Sequence, residues 1–311
     1  MAPRLRHGAG ALAVLLLAGC RATPLTEGAE RTERTEAGAQ GVPRIVAMAP
    51  AAAETLAALG LTGLVVGVGD FVTFPPALAA RPRVGAYDAP NVERLLALGT
   101  THFVTSASEA AAASRGRLAA LGIEVIELDG ATWEGALTGM AALGARFGRA
   151  EEGAALAAGI RARIDRLRTE TAGLPRRTVL CAVGRDPLYA AGPGSHLDAL
   201  IAAAGGENLL ADGRGTYLLA SLEAVLERGP EVIVDGSDNR PGAARGPLPG
   251  AWGRWPLLPA VAAGRVYQVD PGRYAVPGPR LAEMAEAFAR FVHPERFGPP
   301  VDFDFAPPGE D

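Results

Sequence analysis

A pattern that occurs twice constrains the fold of this chain more than any other feature. Asn91–Val104 and Ser221–Val234 each begin with a residue type that caps helix N-termini and have a glutamate two positions later. Each then continues as a short amphipathic helix, stops at a glycine and ends in an apolar strand. The long segment between the copies has helical periodicity over 134–147 and 151–170. The simplest architecture is two similar α/β halves joined by a long helix, and a cleft between halves is a preferred ligand site.

Strand and helix signals alternate along the rest of the chain. The predicted strands are 44–48, 64–68, 102–105, 124–128, 178–183, 232–235 and 265–269. The predicted helices are 51–59, a short helix opened by Asn91, 109–121, 134–147, 151–170, 196–204, 222–228 and 280–292. This alternation predicts the α/β class, with parallel sheets flanked by helices.

The N-terminus has the pattern of an export signal. Basic residues precede the apolar stretch Ala9–Leu17, which is too short to span a bilayer because spanning takes about 20 residues. Leu17-Ala-Gly-Cys20 resembles the lipobox of bacterial lipoproteins, so we expect Cys20 to carry the lipid. The alternative is a plain signal peptide with an incidental cysteine. The polar stretch after Cys20 predicts a flexible tether, and the Pro-rich end from Pro299 predicts a flexible tail.

Composition excludes several classes of function. All 30 basic residues are arginine, which excludes a lysine Schiff base and a P-loop lysine. The net charge of −4, without a basic block, disfavours a nucleic-acid partner. His102, His196 and His293 are scattered, so no transition-metal site is expected. Cys181 lies in an apolar run and is predicted to be a buried small hydrophobic residue.

Several short motifs occur in a characteristic order. They are Arg44-Ile-Val-Ala-Met-Ala-Pro50 with Glu54-Thr-Leu56, Val66-Gly-Val68 with Phe74-Pro-Pro76, Val84-Gly85, Asn91-Val-Glu93, Ala204-Gly-Gly-Glu-Asn208, Ser221-Leu-Glu223, Gly264-Arg-Val-Tyr267 and Pro277-Gly-Pro-Arg-Leu281. Over 44–297 this order resembles class III periplasmic substrate-binding proteins of ABC importers, which take up cobalamin, iron–siderophores or haem. The pattern is most similar to the cobalamin-binding members. One departure is Gly99-Thr-Thr-His102, where the family usually has Pro-Asp before the strand.

The resemblance implies two Rossmann-like lobes joined by a rigid backbone helix. The expected division is a lipoprotein signal at 1–20, a tether at 21–42, lobes at 43–148 and 173–298, a linking helix at 149–172 and a tail at 299–311. It also implies a monomer on the extracytoplasmic face of the membrane, held there by its lipid, with no resident cofactor or metal and no enzyme activity. Its partners are then the permease subunits of an ABC importer with their cytoplasmic ATPase.

The resemblance also assigns roles to individual residues. Aromatic side chains in loops near strand ends suit a flat ligand, and Tyr87 and Tyr217 are the leading candidates. Glu93 and Glu223 are expected to dock on arginines of the permease, although an acid in the first helical turn also simply complements the helix dipole. The further predicted ligand-binding residues are Asp70, Phe74, Tyr189, Arg273 and Tyr274. For Trp252 and Trp255, packing within a lobe is at least as good an interpretation.

The ligand and some other functions stay open on sequence grounds. Cobalamin is the first choice, an iron–siderophore the second, and haem with Tyr87 or Tyr217 as axial ligand the third. The first strand is not followed by a Gly-x-Gly-x-x-Gly fingerprint, and no Gly-x-Ser-x-Gly elbow occurs. Ser195 and His196 are adjacent, which is not triad geometry. A secreted glutamate-based hydrolase and a structural surface lipoprotein are the alternatives from other classes.

Overall fold

The computed structural model describes residues 41–87, 89–238, 246–247 and 249–301. Cys20, the predicted signal and nearly all of the predicted tether and tail lie outside these ranges. The elements of the first half are β1 (Ile45–Ala47), α1 (Pro50–Ala58), β2 (Val65–Val68), α2 (Pro76–Ala79), β3 (Gly85–Ala86), β4 (Ala89–Pro90), α3 (Val92–Ala97), β5 (His102–Ser106), α4 (Glu109–Ala119), β6 (Glu124–Leu128) and α5 (Trp133–Arg146).

The sheet of the first half has the order β2-β1-β5-β6, and all its pairings are parallel. Its central strands are buried on both faces, as their apolar composition requires. A core of β-branched, leucine and alanine side chains lies under α1, with Ile45, Leu56 and Val104 fully buried. The parallel α/β organisation predicted for this half is confirmed.

The second half begins with the longest helix of the described residues. Its elements are α6 (Ala150–Thr171), β7 (Arg177–Arg185), β8 (Leu188–Ala191), α7 (His196–Ala203), β9 (Gly206–Asn208), β10 (Tyr217–Leu219), α8 (Leu222–Arg228), β11 (Val232–Asp235), α9 (Pro259–Ala262), β12 (Val266–Gln268), α10 (Pro271–Tyr274), α11 (Leu281–Val292) and α12 (Pro294–Phe297).

The second sheet is mixed and is not purely parallel. Its order is β10-β8-β7-β11-β12, with β9 also pairing β7. The pairings among β7, β9, β11 and β12 are parallel, whereas β8 is antiparallel to both β7 and β10. The sequence pattern predicted that the strand β7 ends at Val183 and predicted no strand at Leu188. The turn at Asp186-Pro187 instead reverses the chain, so β7 and β8 form a hairpin. Asp and Pro are both residue types that favour turns.

Two antiparallel helices, α5 and α6, connect the halves. Their first contact is possible because Gly144 and Gly153 have no side chains. A Cβ atom at Gly144 would come within 2.5 Å of the Arg149 carbonyl oxygen and 2.9 Å of the Gly153 Cα. The ring of Trp133 at the start of α5 lies beneath the guanidinium groups of Arg161 and Arg168, at 4.8 and 4.7 Å. Close backbone packing and these cation–π contacts fix α6 against α5.

Helix α11 seals the second core against α6 and α7. Leu281, Met284 and Phe288 recur at helical spacing, and all are fully buried. They share one apolar cluster with Ile160 and Ile164 of α6. Burial of each such large side chain contributes about 1.5–3 kcal/mol. In the described ranges, no helix combines the length and apolar character needed to cross a bilayer.

Candidate functional site

Two aromatic rings are exposed together on the first half. Phe71, after β2, and Tyr87, after β3, stack with ring centroids 5.3 Å apart and planes 7° from parallel. Their exposed fractions are 55% and 36%. The backbone N–H of Asp70 donates to the Gly85 carbonyl over 3.0 Å, which ties the two loops together. The pair presents a flat apolar surface to solvent, and Asp70 lies exposed beside it.

Arg83 fixes the loop that carries these residues. Its guanidinium donates to the carbonyl oxygens of Gly69 at 2.8 Å, Val72 at 2.6 Å and Ala79 at 2.9 Å. These carbonyls lie on both sides of Phe71, so the orientation of the loop depends on one side chain. Sequence analysis did not single out Arg83, because an arginine that binds backbone carbonyls has no signature in residue spacing.

A matching exposed apolar face lies on the second half, at the edge formed by β8 and β10. The register pairs Leu219 with Tyr189 and Tyr217 with Ala191, so these four side chains share one face of the sheet. Tyr189, Tyr217 and Leu219 are 43%, 41% and 65% exposed, whereas Ala190 on the other face belongs to the core. Strand alternation thus presents both predicted tyrosines on the solvent side.

His196 lies beneath Tyr217 where the two halves meet. Its Nδ1 is 3.5 Å from the Tyr217 hydroxyl, and the rings meet edge to face with centroids 6.5 Å apart. The His196 backbone N–H donates over 3.0 Å to the carbonyl of Ala131, in the loop between β6 and α5. The side chain is 1% exposed, and burial lowers its pKa to about 4. The imidazole is therefore neutral at physiological pH and supports Tyr217 at the boundary between halves.

Phe74 lies at a second contact between the halves. The Arg280 guanidinium, at the start of α11, is 4.7 Å from the centroid of the Phe74 ring. Arg280 also binds the carboxylate of Glu54 in α1, with Nε 2.9 Å from Oε2 and a second bond from Nη2 to Oε1. Both members of this ion pair are 4% exposed. Phe74 is thereby held on a buried ion pair that joins α1 to α11.

Comparison with known proteins identifies the family. The model of a family described as periplasmic binding protein matches residues 45–272. The chain belongs to the periplasmic binding protein family. The resemblance predicted from the motifs is confirmed, and the binding protein is of the class III type. Family membership also implies an extracytoplasmic location.

Several relatives are named for the ligands they bind. The vitamin B12-binding protein of Salmonella typhimurium is 30% identical over 192 residues, which cover 62% of this chain and 71% of the relative. The cobalamin-binding protein of Halobacterium salinarum is 30% identical over 260 residues, which cover 80% of this chain and 69% of the relative. The solved periplasmic heme binding protein of Vibrio cholerae superposes with a TM-score of 0.70 at 21% identity, covering 80% of this chain and 98% of that one.

The two predicted docking acids of the binding protein occupy equivalent places. Glu93 and Glu223 are exposed in the first turns of α3 and α8, which Asn91 and Ser221 cap. Ser221 Oγ donates to Glu223 at 2.7 Å, and this bond lowers the pKa of the Glu223 carboxyl group. Each helix is followed by a left-handed glycine with φ near 60° and then by a buried parallel strand. The internal repeat is therefore a structural repeat.

Two further residues predicted near the ligand, Tyr274 and Arg273, line one small cavity of the second half. Tyr274 is 7% exposed and packs in the core, with its ring centroid 5.8 Å from that of Phe291. It lies in α10 and not in the loop assumed from the sequence, so its ring turns inward. Arg273 is half-buried and lines, together with Tyr274, Tyr267 and Phe291, a cavity of about 150 Å³.

Several other residues of the binding protein are structural. Trp252 is 3% exposed in the core of the second half, as packing within a lobe predicts. Cys181 is buried, and burial raises the pKa of its thiol to about 12. Within the described ranges, no three His, Cys, Asp or Glu side chains are arranged to hold a metal ion.

Sequence analysis missed the residues that support the aromatic ones. Glu54 and Arg280 both lie in motifs that carried the family resemblance, but their spacing of 226 positions gave no sign that they pair. The sequence presented His196 only as one of three scattered histidines and as the neighbour of Ser195. Its role under Tyr217 depends on β10 reaching β8, a pairing that the sequence pattern did not predict.

Proposed function

We propose that this binding protein captures cobalamin or a related corrinoid between its halves and delivers it to an ABC importer. The observation that carries the proposal is the exposure of aromatic rings on both halves: the Phe71–Tyr87 stack on one and Tyr189 with Tyr217 on the other. Flat apolar surfaces of this kind suit a corrin ring. The names of the relatives from Salmonella and Halobacterium support the same ligand.

Haem is the second candidate, because a heme binding protein shares the fold. A haem ligand would be expected to take Tyr87 or Tyr217 as an axial phenolate. Burial raises the pKa of both tyrosines to about 12, so both phenols are protonated at neutral pH. Ligation would have to remove that proton against the effect of burial. The names of the two relatives that are 30% identical, a vitamin B12-binding and a cobalamin-binding protein, rank cobalamin above haem.

An iron–siderophore is the third candidate and would require free cations near the aromatic rings. Two arginines that contact the loop carrying Phe71 and Phe74 are engaged elsewhere, because Arg83 binds backbone carbonyls and Arg280 binds Glu54. A polyanionic chelate thus meets little uncompensated positive charge on this side. The neutral or weakly charged face of a corrinoid is a better match.

A hydrolase mechanism finds no support around Ser195 and His196. Ser195 is 1% exposed, and its hydroxyl donates to the Gly192 carbonyl at 2.9 Å while capping α7 through the Asp198 N–H. A nucleophilic serine needs its hydroxyl hydrogen-bonded to a base and open to substrate. The family is also one of binding proteins.

Delivery to an importer requires contact with the permease and with the membrane. We propose that residues 43–148 and 173–298 act as lobes around the linking helix 149–172, and that Glu93 and Glu223 dock on arginines of the permease. A lipid on Cys20 would keep the protein at the membrane, where two exposed acids on equivalent short helices orient it.

The test uses protein that lacks residues 1–20, titrated with cyanocobalamin, haemin and ferric siderophores. Calorimetry should show saturable binding of cyanocobalamin, and visible spectra should show no tyrosinate-ligated haem. A haemin complex with a shifted Soret band of tyrosinate character, together with no heat from cyanocobalamin, would overturn the assignment. A siderophore that binds while cyanocobalamin does not would favour the third candidate.

A further inference from the structure

A cavity of about 400 Å³ lies on the second half, away from the exposed tyrosines. Leu188 lines it, and Leu188 points to the opposite face of β8 from Tyr189. The volume falls in the range of small-molecule sites, roughly 300–1,000 Å³. The cavity is lined by Arg185, Asp186, Pro187, Leu188, Ala220, Leu222, Ala251, Trp252, Arg254 and Trp255.

One buried carboxylate fixes two walls of this cavity. Asp235, at the end of β11, is 0% exposed and accepts from Arg185 Nη2 at 2.5 Å and from Trp252 Nε1 at 2.8 Å. Its other oxygen accepts from the N–H and hydroxyl of Ser237 at 3.0 and 2.5 Å. Burial acts to raise the pKa of Asp235, but these hydrogen bonds and the charge of Arg185 outweigh it and hold the pKa below its usual range. Arg185 and Trp252 are thus held in place before any ligand arrives.

The third wall combines an aromatic plane with a cation. The Trp252 and Trp255 rings lie 5.9 Å apart between centroids, tilted by 51°. The Arg254 guanidinium lies over Trp255, 5.5 Å from its centroid, and its side chain is exposed. Asp235 balances the charge of Arg185. Within the described part of the chain, Arg254 has no acid within ion-pair distance, and Asp186 pairs with neither arginine.

These features of the cavity indicate which chemical class of ligand it binds. The half-buried indole ring of Trp255 accepts a flat apolar ring system, and a guanidinium beside an aromatic plane binds a carboxylate. We propose that this cavity is a second binding site, specific for a small aromatic anion. The ring lies against Trp255, which the buried Trp252 supports, and the carboxylate is bound by Arg254 with Arg185 behind it. The site is independent of the ligand held between the halves, since no predicted ligand residue lines it.

The experiment compares 2-naphthoate with its neutral analogue 2-naphthalenemethanol, using calorimetry and saturation-transfer NMR on the protein that lacks residues 1–20. We expect saturable binding of 2-naphthoate, weakened about tenfold or more by Arg254→Gln, because a hydrogen bond to a charged group contributes about 1.5–3 kcal/mol. Trp255→Leu should also weaken it, and the alcohol should bind as weakly to the parent as naphthoate does to Arg254→Gln.

Matched controls separate this site from the tyrosine-lined surface. Tyr87→Leu and Tyr217→Leu should leave naphthoate binding unchanged, and Arg254→Gln should leave cyanocobalamin binding unchanged. The proposal is overturned if naphthoate does not saturate the protein, if acid and alcohol bind equally, or if the tyrosine substitutions remove naphthoate binding while Arg254→Gln does not. Arg254 is exposed, so its replacement is not expected to prevent folding.

Discussion

Arg280 and Glu54 form a bidentate ion pair that is buried at both ends and joins helices from the two halves of the chain. Arg280 also donates to the Gly272 carbonyl at 2.9 Å and covers the Phe74 ring, so one guanidinium serves three segments. This one side chain can therefore influence both the stability of the fold and the position of a candidate ligand residue.

Replacement of Glu54 by glutamine should be strongly destabilising. The substitution keeps the shape but leaves the Arg280 charge buried without its counter-ion, a change that costs about 3–5 kcal/mol. The loss of unfolding free energy is measured by denaturant titration, with circular dichroism as the signal. The matched control is Arg163→Gln, which breaks the Arg163–Glu286 pair whose members are each 39% exposed and should cost less than about 1 kcal/mol. If both variants lost the same unfolding free energy, burial would not be the reason that the Glu54–Arg280 pair matters.

The tyrosines on the two halves should contribute separately to ligand binding. Tyr87→Leu and Tyr217→Leu should each weaken cyanocobalamin binding by roughly two- to tenfold, because one stacked aromatic contact contributes roughly 0.5–1.5 kcal/mol. Calorimetry gives the affinity. Tyr274→Phe is the control, since Tyr274 is buried in the core and should not contact ligand. An unchanged affinity in both leucine variants would remove the aromatic surfaces from the site.

Charge reversal at the docking acids should separate transport from binding. Glu93→Arg combined with Glu223→Arg should abolish uptake in cells that depend on this protein, because like charges would then face the permease arginines. Ligand affinity should be unchanged, since both side chains are exposed on short helices. Glu227→Arg reverses an exposed acid on the same helix α8 and should leave uptake intact. Reduced affinity in the double variant would place these acids at the ligand instead.

His196 should make the stability of the protein depend on pH. Burial lowers its pKa to about 4, whereas the unfolded chain keeps the ordinary value of 6.5. Between these values the unfolded chain binds more protons, so the free energy of unfolding should fall as the pH decreases from about 6.5 towards 4, by at most ~1.4 kcal/mol per pH unit. Unfolding of the parent and of His196→Asn at several pH values measures the difference in slope. Identical slopes would mean that the imidazole is not titrated on unfolding.

Much of this architecture could be predicted from residue patterns, and the rest depends on contacts that leave no pattern. The repeated helix–glycine–strand unit placed α3 and α8 correctly, because caps and left-handed glycines are local signals. The β8–β10 edge was missed because strands this short have too few residues to show alternation. Arg83 and the Glu54–Arg280 pair were missed because their partners are distant in sequence or belong to the backbone. Tyr274 is more buried than the sequence suggested because it lies in one helical turn, α10, and not in a loop.

The burial of Cys181 makes it practical to measure how the two halves of the chain move when a ligand binds. Its side chain is 5% exposed and its thiol stays protonated at neutral pH, so alkylating reagents should leave it untouched while the chain is folded. In protein lacking residues 1–20 it is the sole native thiol. Spin labels or fluorophores on cysteines substituted for exposed residues such as Leu121 and Leu257, one in each half, would then report their separation against a silent background. The displacement that a ligand causes can be measured without first removing a native side chain.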